Sequence, residues 1–260
     1  MPNIKRAVVA VLPPSIVKTM RIYKAKVGVY RAIYKAHING KKQIQPLHEV
    51  FANVYETGSW GASSDPSQTY YSGDGSHDNR VASAYIKAVH EFLSSFPDKP
   101  NVVDIGCGDF SIGSRIRPLC NRYIACDVVP KLIDFDREKF KERDVDFRVL
   151  DVTSGELPAG DVLFIREVFQ HLSNQQILRA LSGISSKHYK YFVFTDLIPT
   201  EQKFKPNLNK PAGAGTRIPQ RSGVVLSEPP FNFKFETQTT LCEVQQTEGG
   251  RIQSIIYKLS

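Results

Sequence analysis

Three acids stand at comparable places in the middle of the chain, each closing an apolar run. Asp104 lies two residues before the glycines of VVDIGCGDF (102–110), Asp127 closes RYIACD (122–127) and Asp151 closes VDFRVLD (145–151). Gly106 and Gly108 tolerate positive φ and let a backbone approach a ligand closely. A dinucleotide-binding turn would read G-x-G-x-x-G. Here Ser111 holds the third glycine's place, Gly113 comes two residues late, and the Asp104 carboxylate would repel a pyrophosphate. The same carboxylate suits an ammonium group. Asp127, about twenty residues on, suits the paired hydroxyls of a ribose. Asp151 suits an exocyclic amine on a base; the alternative for it is a turn or cap residue. The alternative for the two glycines is a plain tight turn.

The elements that position these acids follow from periodicity. NVVDI, RYIACD, VDFRVLD, DVLFIRE and YKYFVFTDL read as five buried strands. Helices are expected over 79–95, with Asp78 or Asn79 as cap, over 111–120, with free N–H groups for an anion from Ser111, and over 130–140, with Pro130 in the first turn. Another opens on a Ser173–Gln176 capping box and runs to about Ser186. After the third strand only a short turn is expected. Residues 198–236 read as a long loop. TTLCEVQQTEGGRIQSIIYKL (239–259) reads as a hairpin around Glu248–Gly250. Buried strands alternating with helices predict an α/β fold, a mostly parallel sheet with helices on both faces, finished by an antiparallel hairpin. In such sheets ligands bind beyond the carboxyl ends of the strands, where the strand order reverses.

A ligand with an amine, a ribose and an adenine but no diphosphate is S-adenosylmethionine. VVDIGCGDFSIG, ACD, LDVT and DVLFIREVFQHLS, in that order and spacing, resemble the class I S-adenosylmethionine-dependent methyltransferases over residues 79–197. The resemblance implies a Rossmann-like seven-stranded sheet whose last two strands are the hairpin. It also implies that Asp104, Gly106 and Gly108 wrap the methionine part, that Asp127 holds the ribose, and that Asp151 touches adenine with Val152 beside the base. Arg166, ending the fourth strand, joins the cofactor set. The fourth-strand edge, Arg166-Glu167-Val168-Phe169-Gln170-His171, would face the methyl group, which makes His171 and Glu167 the candidate acid/base groups. The alternative for His171 is packing or capping. No (N/D)-P-P-(F/Y) motif of amino methyltransferases stands there, and EPPF (228–231) comes too late to serve as one. IREVFQHLS, the early loop and RSGVVLSEPPF resemble more loosely the small-molecule and sugar methyltransferases of bacterial surface-polysaccharide clusters. That implies O-methylation of a sugar or other small-molecule or glycan acceptor.

The early loop, 56–78, is rich in Gly, Ser and Asp and reads as a lid over the cofactor. Within it Ser72 is expected to fold around a carboxylate, Arg80 just beyond to pair with it, and Trp60 and Tyr70 to line the acceptor pocket. A bare surface loop is the alternative. Arg217 and Arg221, in 198–236, are expected to meet a phosphate or carboxylate on the substrate, with solvated surface arginines as the equal alternative. His77 with nearby acids has no metal-ligand spacing, and no metal site is expected.

The chain has 260 residues, a formal charge of +8 and four cysteines, Cys107, Cys120, Cys126 and Cys242. None forms a C-x-x-C pair, so a disulfide framework or structural zinc is not expected and a reducing cytoplasm fits. Cys107 reads as a small turn residue, not a nucleophile. No apolar run reaches the ~18 residues of a membrane span, and the apolar start is broken by Pro13 and Pro14. Ten basic residues and no acid precede Glu49, leaving the rest of the chain at −2. Residues 1–48 are therefore expected to form a basic extension, with an amphipathic helix over 15–37, and 49–260 the methyltransferase domain. A membrane surface, contacted peripherally at the inner face through residues 1–45, is favoured over nucleic acid as the arm's partner. The competing functions are an RNA methyltransferase guided by that arm and a non-catalytic cofactor-binding module.

Overall fold

The computed structural model describes residues 45–63, 65, 68–201, 203–246 and 250–260. The expected helix over 15–37, the basic arm's surface contact and the tip of the terminal hairpin lie outside the described residues. The body from Pro46 to Ser260 forms one compact unit. Its elements are α1 (Leu47–Glu56), α2 (Asp74–His77), α3 (Asn79–Ser94), β1 (Val102–Ile105), α4 (Gly113–Ile116), β2 (Tyr123–Asp127), α5 (Pro130–Lys139), β3 (Asp146–Val149), β4 (Val162–Arg166), α6 (Asn174–Ser185), β5 (Tyr191–Pro199), β6 (Thr237–Gln245) and β7 (Gly250–Lys258).

The seven strands form one sheet in the order β3-β2-β1-β4-β5-β7-β6. β1 to β5 pair in parallel and β7 runs antiparallel between β5 and β6. This is the Rossmann-like sheet expected from the sequence. The order reverses between β1 and β4, so the crevice lies beyond Ile105 and Arg166.

Alternate strand residues feed two separate cores, as a pleated sheet covered on both faces requires. Val103, Ile105, Ile124, Cys126, Leu163 and Ile165 pack on one side with α1 and α6. Val102, Tyr123, Ala125, Val162 and Phe164 pack on the other with Tyr85, Val89 and Leu93 of α3. The Asp78 carboxylate caps α3 through the Arg80 N–H, and Ser173 and Gln176 form the capping box of α6.

Three local expectations need correction. The helix expected over 111–120 is the four-residue α4 followed by a 3-10 turn, Arg117–Leu119, because Phe110 turns left-handed at φ 56° and Pro118 cannot extend an α-helical ladder. A helix that short offers no anion-binding terminus. The early loop is not wholly irregular, since it contains α2. Helix α1 was not anticipated, although Leu47, Phe51 and Val54 bury one face at helical spacing.

Asp136, on α5, has no exposed surface and neither carboxylate oxygen is hydrogen-bonded. Burial, followed by the charges of Asp109 and Asp127, pushes it up to about 8. A raised carboxyl favours the folded state at low pH and stops doing so as pH rises towards that value. The ligand-free protein should therefore lose stability between pH 5 and 8.5. Asp136→Leu should flatten that slope and raise Tm at pH 8.5, which a pH series of thermal melts checks.

Candidate active site

A cavity of about 540 Å³ opens at the reversal point between β1 and β4, within the range that holds a drug-sized ligand. Its floor is the turn after β1. Gly106 and Gly108 sit at φ 76° and 57°. A Cβ at Gly106 would stand 2.2 Å from Val168 Cγ2, and one at Gly108 2.4 Å from Ser72 Oγ. Both glycines are needed for conformation and for space. Gly106 and Cys107 N–H donate to the Cys126 carbonyl at 2.7 and 3.0 Å, fixing the turn to β2. Burial, with nearby Asp127, pushes the Cys107 thiol well up, consistent with an inert turn residue.

Asp104 and Asp127 both line the cavity and are nearly buried. Asp104 accepts from the Tyr123 hydroxyl at 2.9 Å. Asp127 accepts from Val129 N–H at 3.0 Å and Gly108 N–H at 3.3 Å. Burial raises each carboxyl to about 6, with Tyr123 and Arg166 opposing at Asp104 and the backbone N–H groups opposing at Asp127. A cationic or hydroxylated ligand favours the ionised form. Affinity for S-adenosylhomocysteine should accordingly be level from pH 7 to 8. It should fall by up to about tenfold per pH unit for each proton below 6, as titrations at several pH values would show.

Asp151 and Val152 line the cavity beyond β3. One Asp151 oxygen accepts from Thr153 N–H and Oγ1 at 2.8 and 2.7 Å, so the residue does hold a turn while remaining at the wall. Arg166 lies 5.0 Å over the Tyr85 ring, pairs with Glu167 at 3.0 Å and donates to Ser76 Oγ and the Gly75 carbonyl. Glu167 adopts φ 57°, with its N–H donating to the Thr195 carbonyl at 2.8 Å.

The early loop covers the turn through a reciprocal pair. Ser72 N–H donates to Asp109 Oδ2 at 2.9 Å, and Asp109 N–H donates to Ser72 Oγ at 2.8 Å. His77 Nε2 stands 2.6 Å from the same Asp109 oxygen and stacks on Tyr71. Burial alone would raise the Asp109 carboxyl, but the bonds from His77, Ser111 and Ser72 hold it below the usual range. The role of Asp109 was not seen in the sequence, where it reads as one more residue of the turn.

His171 ends a 3-10 turn, Phe169–His171, on the opposite wall. It is buried, 4.9 Å from Trp60 and 6.4 Å from Phe51 between ring centroids. Its Nε2 lies 3.2 Å from the Gln170 amide nitrogen; Nδ1 and Gln170 Oε1 are buried without a hydrogen bond of ordinary geometry, and the backbone of residues 213–215 lies against the ring and favours its protonated form. Burial and then the Lys210 charge lower the imidazole to about 4, so it is neutral at physiological pH. Trp60 lines this end and its indole N–H donates to the Ala214 carbonyl at 3.1 Å, tying the early loop to the later one.

Four expected site residues lie elsewhere. Arg80 is exposed and paired with Asp78 at 2.8 Å. Tyr70 packs on Tyr55 and Phe135 outside the cavity, and Tyr55 takes the wall position, its hydroxyl 3.2 Å from Ser72 Oγ. Arg221 is exposed in a left-handed turn. Arg217 is only 1% exposed and does not line the cavity; it donates to the carbonyls of Leu208, Phe169, Gln170 and Leu172 and to Asn174 Oδ1. The described residues contain no group of three metal-ligating side chains, and none of their helices is long and apolar enough to cross a membrane.

Residues 102–187 match the family model described as "Methyltransferase domain". No curated protein matches the chain. Among solved structures, it is similar to N-methyltransferase NodS from Bradyrhizobium japonicum WM9 in complex with S-adenosyl-L-homocysteine, at 15% identity and TM-score 0.55, over 80% of this chain and 100% of that one. It is similar to human N-acetylserotonin methyltransferase in complex with SAM, at 15% identity and TM-score 0.52, over 83% and 60%. It is also similar to magnesium protoporphyrin IX methyltransferase from Synechocystis PCC 6803 with bound SAH, at 14% identity and TM-score 0.51, over 81% and 98%. The family match falls on the strands and turns that build the cavity floor. The chain thus carries, over residues 102–187, a match to a methyltransferase domain, and it shares its fold with methyltransferases solved with SAM or S-adenosyl-L-homocysteine.

Proposed function

We propose that the protein transfers a methyl group to a hydroxyl of a small-molecule or glycan acceptor, with His171 at the acceptor. The observation that carries this reading is a buried imidazole, neutral at physiological pH, on the cavity wall between Trp60 and Gln170. The donor, when bound, supplies a methyl group already activated by a sulfonium charge, so orientation and exclusion of water account for much of the rate. Asp104 would hold the methionine ammonium, Asp127 the ribose hydroxyls, and Asp151 with Val152 the adenine. Ser72, drawn over the turn by Asp109, closes that half from water. Arg166, ion-paired with Glu167, would meet the methionine carboxylate. That pairing makes Glu167 an orienting group for Arg166 and leaves proton chemistry to His171.

An acceptor hydroxyl must lose its proton as its oxygen is methylated. The Gln170 amide sets which nitrogen of His171 can take it. With the amide oxygen turned to Nε2–H, the Nδ1 lone pair is free to accept that proton. With the nitrogen turned there, Nδ1–H is a donor that orients the hydroxyl. His171→Ala should lower kcat about 100-fold and leave S-adenosylhomocysteine affinity unchanged, measured with a labelled methyl donor and an acceptor found by screening. With donor saturating, the acid limb assigned to His171 should lie near pH 4. A variant with full turnover would refute the assignment.

A further inference from the structure

The acceptor half of the cavity is walled by rings and aliphatic side chains: Phe51, Trp60, Leu172, Leu197, Ile218 and Ile252. Its polar groups include the His171–Gln170 pair, on residues 8% and 5% exposed. Five carboxylates line the whole cavity (Asp74, Asp104, Asp127, Asp151 and Glu167) against one guanidinium, Arg166, which is already paired. The cations behind the His171 turn are committed as well. Arg217 is saturated by carbonyls, and Lys210 Nζ lies 3.4 Å from the His171 carbonyl. Among the described residues no uncommitted cation faces the acceptor.

A phosphate or diphosphate on the acceptor would enter a negative, partly apolar site whose described residues offer it no free counter-charge, which disfavours its binding. An uncharged ring would place an apolar face on Trp60 and Phe51 and bring its hydroxyl to the His171–Gln170 pair. We infer that the acceptor is an uncharged hydroxyl compound with an apolar ring face, taken up free of phosphate and nucleotide. The inference rests on the methyl-transfer reading above and narrows its substrate. The shared chemistry has two sources, a phenol-like ring and the apolar face of a neutral sugar.

Trp60 is the only tryptophan of the chain, so its fluorescence reports this half of the cavity alone. The full-length protein, saturated with S-adenosylhomocysteine, is titrated with acrylamide, caesium and iodide, each normalised to free N-acetyltryptophanamide. Although the chain is +8 overall, iodide should quench Trp60 about threefold less than acrylamide, with caesium unhindered. Thr216→Lys, which puts a cation on the wall, should restore iodide quenching. Calorimetry on the same samples reports donor binding separately. A loss of that binding counts against the donor site and not against the choice of acceptor. Acrylamide protection by 4-methylcatechol identifies the phenolic source, and protection by methyl α-mannoside the sugar source. Equal quenching by iodide and acrylamide, or stronger protection by UDP-glucose than by either neutral probe, would overturn the inference. If no probe protects, the iodide ratio decides it.

Discussion

Arg217→Met is expected to destabilise the protein by about 3–5 kcal/mol, a loss of roughly 10 °C in Tm for a body of this size. The side chain is buried and makes five hydrogen bonds, four of them to carbonyls of residues 169, 170, 172 and 208. Removing it leaves those acceptors buried without donors, and they keep their full desolvation cost. Two of the carbonyls belong to the turn that carries His171, and a third, that of Leu172, follows it directly. At temperatures where the variant remains folded, kcat should therefore fall further than donor affinity. Lysine cannot reproduce the planar fork, so Arg217→Lys should recover less than half of the lost stability. Urea denaturation of the three proteins, with turnover on the folded fraction, checks both parts. Unchanged stability in Arg217→Met would mean that the later loop does not hold the His171 turn.

Asp127→Asn should weaken S-adenosylhomocysteine binding on the order of 100-fold, because hydrogen bonds to a charged acceptor contribute about 1.5–3 kcal/mol each. Asparagine keeps one oxygen for Val129 or Gly108 N–H, so the turn should survive and the loss should fall on binding. Asp127→Ala leaves both N–H groups unpaired and should cost stability as well. Comparing the two by calorimetry and thermal melts separates the ligand role from the turn role. Near-normal affinity in Asp127→Asn would remove the ribose assignment.

That the acids after the strands would meet at one cavity was legible in the sequence because the features that mark them are local. Each acid ends a strand whose apolar run marks it as buried, and strand ends in a parallel sheet converge on one edge. The capping box at Ser173 and the Asp78 cap are likewise short-range patterns. The misplaced residues depend on what lies across space. Arg80, Arg217 and Arg221 are alike as letters in or beside polar loops, yet one is paired on the surface, one is buried under the His171 turn, and one is exposed. Nothing in GTRIPQRSG distinguishes the last two. Tyr70 and Tyr55 differ in the same way. Tyr55 reaches the wall because α1 packs across the cavity, and the spacing of Leu47, Phe51 and Val54 was a usable signal for that helix. The loop over 198–236 looked irregular, and it is, but bonds from Arg217, Lys210 and Asn207 order it.

We propose that the turn VVDIGCGDF and the acids after β2 and β3 hold S-adenosylmethionine. Calorimetric titration of the full-length protein with S-adenosylhomocysteine, run beside NAD, tests it most directly. Micromolar binding of the first and none of the second is expected, because Asp104 suits an ammonium and repels a diphosphate. Binding of NAD, or no binding of S-adenosylhomocysteine between pH 7 and 8, would contradict it.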